Sequence, residues 1–344
     1  MPENADQSAD AHPPGDGATD SLLTLAGTEI SFRPLGVGTW AWGDERTWGM
    51  GGYDAALTEQ TIADAWDASI EAGVTLFDTA EVYGNGESER IIGRRLAADP
   101  TARSKVVLAT KFMPMPWKLN VSTLLRDALS ASLDRLGVDH VDLYQIHGPI
   151  SLRSEAALAE ALAAVQRDGL TRAVGVSNYS VKEMGTMAAE LGARDVRLAT
   201  NQIEFSLLRQ MPEQTGLIAA CGALGVIPLA YSPIGQGRLT GKYTAANPVP
   251  KSRNLSAHPQ AKIDRVVSEL RRIATAHDRT PAQVALRWII DKGGVPIPGA
   301  KNADQATQNA GGLDWAMTEG ERLALDRVAL RGVRSIANRI WQHG

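Results

Sequence analysis

The chain contains one cysteine, Cys221, so no disulfide can form within it. That suits a reducing compartment, and a cytoplasmic protein is expected. Cys221 lies in Ala219-Ala220-Cys221-Gly222-Ala223, where a buried structural thiol is the expectation rather than a nucleophile. No run of about 18 apolar residues occurs, so no membrane-spanning helix is expected. The net charge is −4, without the basic excess that nucleic acid or an anionic membrane would attract. There are only six histidines and no close ligand pair, which disfavours a metal-dependent hydrolase; no metal is expected. Residues 1–20 lack the basic start and apolar stretch of a secretory signal, and their acidity disfavours a transit peptide. Their Ala, Asp, Pro and Gly content reads as a disordered tail. A complete Gly-x-Gly-x-x-Gly is also missing: Gly36-Val37-Gly38 lacks the third glycine, and Gly84-Asn85-Gly86 runs into Glu87-Ser88-Glu89.

What is present is a repeated module, a helical pattern ending in glycine and followed at once by a short apolar run. It occurs around Gly73, Gly137, Gly169, Gly225 and Gly293. The helices are amphipathic: Ile62, Trp66 and Ile70 share one face, as do Leu125, Leu129, Leu133 and Leu136. Eight strand candidates fall near residues 35–38, 75–78, 106–110, 141–146, 173–177, 199–204, 226–231 and 295–298. They are continuous apolar runs, as in a parallel sheet covered on both faces. Alternating strands and helices allow an open doubly wound sheet or a closed barrel. Eight units without a dinucleotide fingerprint favour a parallel eight-stranded (β/α)₈ TIM barrel over residues 21–344, with residues 21–33 as a hairpin closing its floor.

Polar residues recur where these strands end. Asp78 ends the second, Lys111 the third and His147 the fourth; Ser177-Asn178 end the fifth, Gln202 lies late in the sixth, and Tyr231-Ser232 end the seventh. Barrel active sites are built at that end. Singly, Asp78 could be a cap, Lys111 a solvated lysine, Tyr83 a packed tyrosine, and His147 a turn residue. Together they suit carbonyl reduction. A phenol has a pKa of about 10, and a neighbouring cation eases loss of its proton. Tyr83 would be the acid, Lys111 the cation, Asp78 its holder, and His147 the residue that orients the substrate oxygen. No side chain donates hydride, so a nicotinamide or flavin must supply it.

Asp78, Tyr83, Lys111 and His147, in that order, resemble the catalytic tetrad of the aldo-keto reductases. Phe77-Asp78-Thr79-Ala80 with Tyr83-Gly84, Glu87 and Gly93 is similar to one signature of that family, and Gly175-Val176-Ser177-Asn178 to a second. Ile297-Pro298-Gly299-Ala300-Lys301-Asn302 with Gln305 and Asn309 is similar to a third. The resemblance covers roughly residues 22–330 and implies a barrel oxidoreductase that binds NADPH without a Rossmann fold. It implies that Ser177, Asn178 and Gln202 hold the nicotinamide carboxamide and that Tyr231 stacks on the ring. Ser232, Pro233, Ile234, Gly235, Gln236 and Gly237 would follow the pyrophosphate. Gln305 and Asn309 would reach the adenosine end. Many members carry Lys-Ser where this chain has Gly299-Ala300, which leaves Lys301 as the candidate partner of a 2′-phosphate.

Trp40, Trp42, Trp48, Tyr53 and Trp117 follow strands one and three and suggest an apolar or aromatic carbonyl substrate. Gly38-Thr39-Trp40-Ala41-Trp42-Gly43 with Trp48-Gly49 resembles the branch containing plant pyridoxal reductases; the resemblance does not extend to pyridoxal as the substrate. A second reading is a nucleotide-sensing regulatory subunit of the same fold acting by protein association, as in potassium-channel β subunits. The expected partner is a small carbonyl compound, with no nucleic acid and no membrane; monomer and homo-oligomer remain equally open.

Overall fold

A computed structural model describes residues 20–43, 56–244, 246–249, 258–332 and 340–344. The chain opens with an antiparallel hairpin, β1 (Leu23–Thr24) and β2 (Ser31–Phe32). Eight strands then alternate with helices: β3 (Gly36–Gly38), α1 (Glu59–Glu71), β4 (Leu76–Asp78), α2 (Glu87–Ala98), β5 (Val107–Phe112), α3 (Val121–Leu136), β6 (Val141–Ile146), α4 (Glu155–Arg167), β7 (Thr171–Ser177) and α5 (Val181–Gly192). There follow β8 (Leu198–Glu204), α6 (Met211–Gln214), α7 (Leu217–Leu224), β9 (Ile227–Tyr231), α8 (Gln260–Ala276), α9 (Pro281–Asp291), β10 (Val295–Pro296), α10 (Ala303–Ala310) and α11 (Glu319–Val328).

Strands β3 to β10 are parallel and neighbour one another in chain order. The two outer strands approach each other where Gly38 N–H donates to Pro298 O at 3.0 Å. The sheet is thus a nearly closed eight-stranded parallel barrel, as the spacing of apolar runs implied. Every strand falls within a few residues of its expected place. Glycine does the expected work at helix ends: Gly137 and Gly225 cap α3 and α7 in the left-handed conformation. Thr58 and Thr280 open α1 and α9 with capping boxes.

Two apolar layers hold the barrel together. Outside the strands, Ile62 and Trp66 of α1 and Leu125, Leu129, Leu133 and Leu136 of α3 are buried, and Trp66 stacks on Phe77 at 4.1 Å. Truncating a leucine in such a layer costs about 2–5 kcal/mol. Inside, Leu25 and Phe32 of the hairpin pack with Leu76, Val107, Leu143, Ala173, Ala199, Leu229 and Val295. The hairpin therefore closes the floor and leaves the C-terminal strand ends as the mouth. The expected tail, residues 1–20, lies outside the described residues except for Asp20, whose carboxylate accepts from Arg287 Nη1 at 2.8 Å. Among the described residues, no helix is long and apolar enough to cross a membrane. Cys221 is buried in α7, and burial pushes its thiol up to about 12.

Candidate active site

The four expected catalytic residues meet at the mouth. Lys111 is wholly buried, and its ammonium donates to Asp78 Oδ2 at 2.6 Å, Thr79 O at 2.8 Å and the Tyr83 hydroxyl oxygen at 3.1 Å. Lys has three donors, and all three are used. Asp78 Oδ1 accepts from Gln202 Nε2 at 2.8 Å and Gln145 Nε2 at 3.3 Å. Burial would lower the Lys111 pKa, but Asp78 and Tyr83 outweigh it and hold the ammonium above its ordinary value. Burial raises the Tyr83 phenol, with Lys111 opposing and Asp78 adding to the rise. The phenol is therefore protonated at neutral pH and able to donate.

Local sequence explains the placement of Tyr83. Gly84, Asn85 and Gly86 all take left-handed backbone, so the chain reverses immediately after the phenol and enters α2. That helix is tied to the barrel by two buried polar residues. Ser88 Oγ lies 2.7 Å from Thr39 Oγ1 and 2.8 Å from Thr79 Oγ1. Glu89 accepts from Thr110 Oγ1 at 2.6 Å and Arg135 Nε at 2.7 Å. The Glu-Ser-Glu stretch after the turn thus anchors the loop that carries the acid.

His147 follows β6 directly, and its backbone N–H donates to Phe112 O at 2.8 Å. Its ring meets the Tyr83 ring edge-on, with centroids 5.6 Å apart. Burial and the nearby Lys111 charge hold it well below the usual histidine range, so the imidazole is neutral. Its Nδ1 is buried with no hydrogen-bond partner. A buried polar atom left open beside a phenol fits a substrate oxygen.

The residues expected at the nicotinamide are also joined. Ser177 Oγ and Asn178 N both donate to Gln202 O, at 2.9 and 2.8 Å. Tyr231 OH donates to Asn178 Oδ1 at 3.0 Å. Asn178, Ser232 and Gln236 are non-glycine residues with positive φ, a conformation that persists where the surroundings enforce it. The stretch Gly235–Thr240 forms a tight turn beyond β9, and Gln236 Oε1 is buried without a partner. Pro233 is buried, and Ile234 is half-buried. At α10, Asn302 caps the helix, Lys301 N–H donates to Gln305 Oε1 at 3.1 Å, and Asn309 Nδ2 donates to Gly299 O at 3.3 Å. Polar side chains gathered at the ends of β7, β8 and β9, and an unpaired amide oxygen beside a glycine-rich turn, fit a dinucleotide.

The aromatic expectations divide. Trp40 is half-buried after β3, and Trp117 stands 71% exposed beyond β5. Trp42 corrects the expectation of a pocket wall: it is fully buried among core residues, and its indole N–H donates to Ala300 O at 2.8 Å. Packing the indole inside the wall satisfies its one donor. Trp48 and Tyr53 lie outside the described residues.

The sequence reading missed the segment 340–344. Trp341 meets the His147 ring edge-on at 5.5 Å and lies against Gly148. Gln342 Nε2 donates to Tyr231 OH at 2.7 Å and Glu204 Oε2 at 2.6 Å. His343 N donates to Asn178 O at 3.0 Å, and its Nδ1 lies 2.7 Å from Glu183 Oε1. The buried Arg209 donates to Gly344 O at 2.8 Å. Gln145 was missed too, although it lies near the end of β6, two residues before His147.

Known proteins resemble the chain in sequence and fold. The Aldo/keto reductase family profile matches residues 34–329. The chain is 36% identical over 324 residues to a chloroplastic pyridoxal reductase of Arabidopsis thaliana, covering 91% of this chain and 87% of that one. It is 33% identical over 302 residues to a 6-dehydroglucose reductase of Novosphingobium aromaticivorans, covering 83% and 91%. Among solved structures, a glycerol dehydrogenase from Gluconobacter oxydans superposes with a TM-score of 0.76 at 28% identity, covering 92% of this chain and 98% of that one. An aldo-keto reductase from Klebsiella pneumoniae in complex with NADPH gives 0.70 at 26%, covering 92% and 97%. With its nearly closed parallel barrel and a match running through almost every strand, the chain is a member of the aldo/keto reductase family.

Proposed function

We propose that this protein reduces an aldehyde or ketone to the alcohol with NADPH, Tyr83 acting as the general acid. The observation that carries the reading is the Lys111 ammonium, fully buried and held between Asp78 and the Tyr83 oxygen. NADPH, when bound, supplies the hydride. Ser177, Asn178 and Gln202 would hold its carboxamide, Tyr231 its ring, residues 232–237 its pyrophosphate, Gly299 and Lys301 the region of the 2′-phosphate, and Gln305 and Asn309 the adenosine end.

The rest of the chemistry belongs to this chain. A carbonyl oxygen seated between the Tyr83 hydroxyl and neutral His147 receives hydrogen bonds that strengthen as charge builds on it. Tyr83 then passes its proton to that oxygen. The charge left on the phenolate is met by the Lys111 ammonium already in contact with it. In the oxidative direction the same phenolate is the base. Asp78 keeps Lys111 charged in a site where burial alone would discharge it.

Aromatic edges at Trp341 and Trp117 favour a flat apolar or aromatic carbonyl compound. Of the two substrates named for relatives, the aromatic aldehyde suits this rim better than the sugar. The test is a panel of aldehydes and ketones followed by loss of NADPH absorbance, with Tyr83→Phe in parallel. Turnover of aromatic aldehydes by the native chain, and its loss in the variant, is expected. Equal turnover by both would refute the reading.

A further inference from the structure

We infer that Gln145, backed by Thr200, is a positioning residue that fixes the Asp78 carboxylate and thereby keeps Lys111 aimed at Tyr83. The inference rests on Tyr83 being the general acid.

One rung of the barrel carries it. Lys111, Gln145, Gly175 and Thr200 are register partners across β5, β6, β7 and β8. Lys111, Gln145 and Thr200 are completely buried. A carboxylate accepts hydrogen bonds and donates none, so the amide nitrogen of Gln145 must face Asp78. Its amide oxygen then faces Thr200, whose hydroxyl donates to it at 3.1 Å. The threonine hydroxyl thus fixes which way the glutamine points.

Gly175 makes room for the contact. Its backbone is not left-handed, so its use here is spatial. A Cβ at that position would run into Thr200 Oγ1 and come within 3.1 Å of Gln145 Cγ. The register slips between Val174 and Gly175, which sets the glycine opposite Thr200. A glycine of the nicotinamide-side signature therefore serves the proton-donating side as well.

The consequence for catalysis is electrostatic. Asp78 Oδ2 holds Lys111, while Oδ1 is occupied by Gln145 and Gln202. Two neutral donors on Oδ1 draw charge from the carboxylate and stop it from rotating. Asp78 opposes ionisation of Tyr83, and Lys111 favours it. With the Gln145 donor gone, more of the Asp78 charge acts on the phenol, and the ammonium is drawn toward the carboxylate. Gln202 is already bonded to Oδ1, so with Gln145 gone that oxygen keeps one donor where it had two.

The test uses the full chain with NADPH and an aldehyde the native protein turns over, with Tyr83→Phe in parallel. Gln145→Met keeps length and removes both amide groups. Its kcat should fall roughly tenfold, the scale of one lost hydrogen bond to a charged group. NADPH affinity should change less than kcat, since the Gln145 amide bonds to Asp78 and Thr200 and not to Ser177, Asn178 or Tyr231. The pKa of alcohol oxidation, which reports Tyr83 as base, should move upward. Gln145→Glu is the more telling variant. A protonated Glu at that position can donate to Asp78 and accept from Thr200 as the amide does. It should be active at low pH and lose activity as the new carboxyl ionises, a limb absent from the native profile. Thr200→Val should act in the direction of Gln145→Met with a smaller effect, and it serves if Gln145→Met does not fold. An inactive Tyr83→Phe beside a Gln145→Met or Thr200→Val with native kcat and pH profile overturns this inference alone, as does a Gln145→Glu profile without the extra limb. An active Tyr83→Phe overturns the general-acid reading and this inference with it.

Discussion

The Lys111 ammonium contacts the Tyr83 hydroxyl at 3.1 Å while it is bonded to Asp78 at 2.6 Å on its other side. A cation so placed stabilises the phenolate that proton donation leaves behind. Tyr83→Phe removes one oxygen and little volume, so the fold and NADPH binding should survive while reduction falls by roughly 10² or more. Lys111→Met should also slow reduction, and the double variant should be little worse than either single one, because both act on one proton transfer. Steady-state kinetics on the three variants decides between coupling and independence.

His147 should govern substrate and leave cofactor affinity alone. Its ring meets those of Tyr83 and Trp341, and its Nδ1 is buried without a hydrogen-bond partner. His147→Ala should lower kcat by roughly tenfold or more, with NADPH affinity unchanged by fluorescence titration. Because burial keeps its pKa well below 6.5, the ring stays neutral between pH 6 and 8. No activity limb belonging to His147 should cross that window, and a limb that disappears in His147→Ala would contradict the neutral form.

Lys301 is predicted to carry the preference for NADPH. Lys301→Ala should weaken NADPH binding by roughly tenfold, the scale of a lost bond between charged partners. NADH binding should hardly change. Equal effects on both dinucleotides would remove the assignment to the 2′-phosphate.

Stability should respond to Glu155. Burial raises its pKa from 4.5 to about 7, with the Tyr179 hydroxyl opposing, and its Oε2 is buried without a partner. An acid whose folded pKa lies above its unfolded value stabilises the fold while protonated. That contribution is complete below about pH 4.5 and disappears as pH rises through 7. Glu155→Gln should therefore raise Tm by about 2 °C at pH 8 and change it little at pH 5. Differential scanning calorimetry at the two pH values would show it, and an equal shift at both would argue against titration.

Trp341 is expected to select substrates. Trp341→Ala should raise KM for aromatic aldehydes more than for small aliphatic ones, since only flat rings gain from an edge contact of about 0.5–1.5 kcal/mol. KM values for a matched aromatic and aliphatic pair would test this.

The barrel was legible because each strand is a separate apolar run and five of the eight follow a helical pattern that ends in glycine. Asp78, Lys111 and His147 stood out because each closes such a run with an ionisable group, and the turn after Tyr83 was visible as Gly84-Asn85-Gly86. Gln145 was harder to see, since a neutral amide inside a strand gives no charge signal and its meaning lies in a partner on another strand. Trp42 misled because tryptophan suits a pocket wall and a core equally, and only the bond to Ala300 O distinguishes them. Residues 340–344 gave no signal, because nothing local in Trp341-Gln342-His343 points to residues 147, 178 and 231.

That segment separates the life of the site from the life of the fold. It reaches the mouth across long stretches of chain, 138 residues in the case of Gln342 and Glu204, and is fastened chiefly by polar contacts, while Ile340 remains 64% exposed. Opening it should require far less free energy than melting the layers around Trp66 and Leu129. Warming would then silence the enzyme first and unravel the barrel later, and cooling would restore activity without any strand having to find its neighbour again.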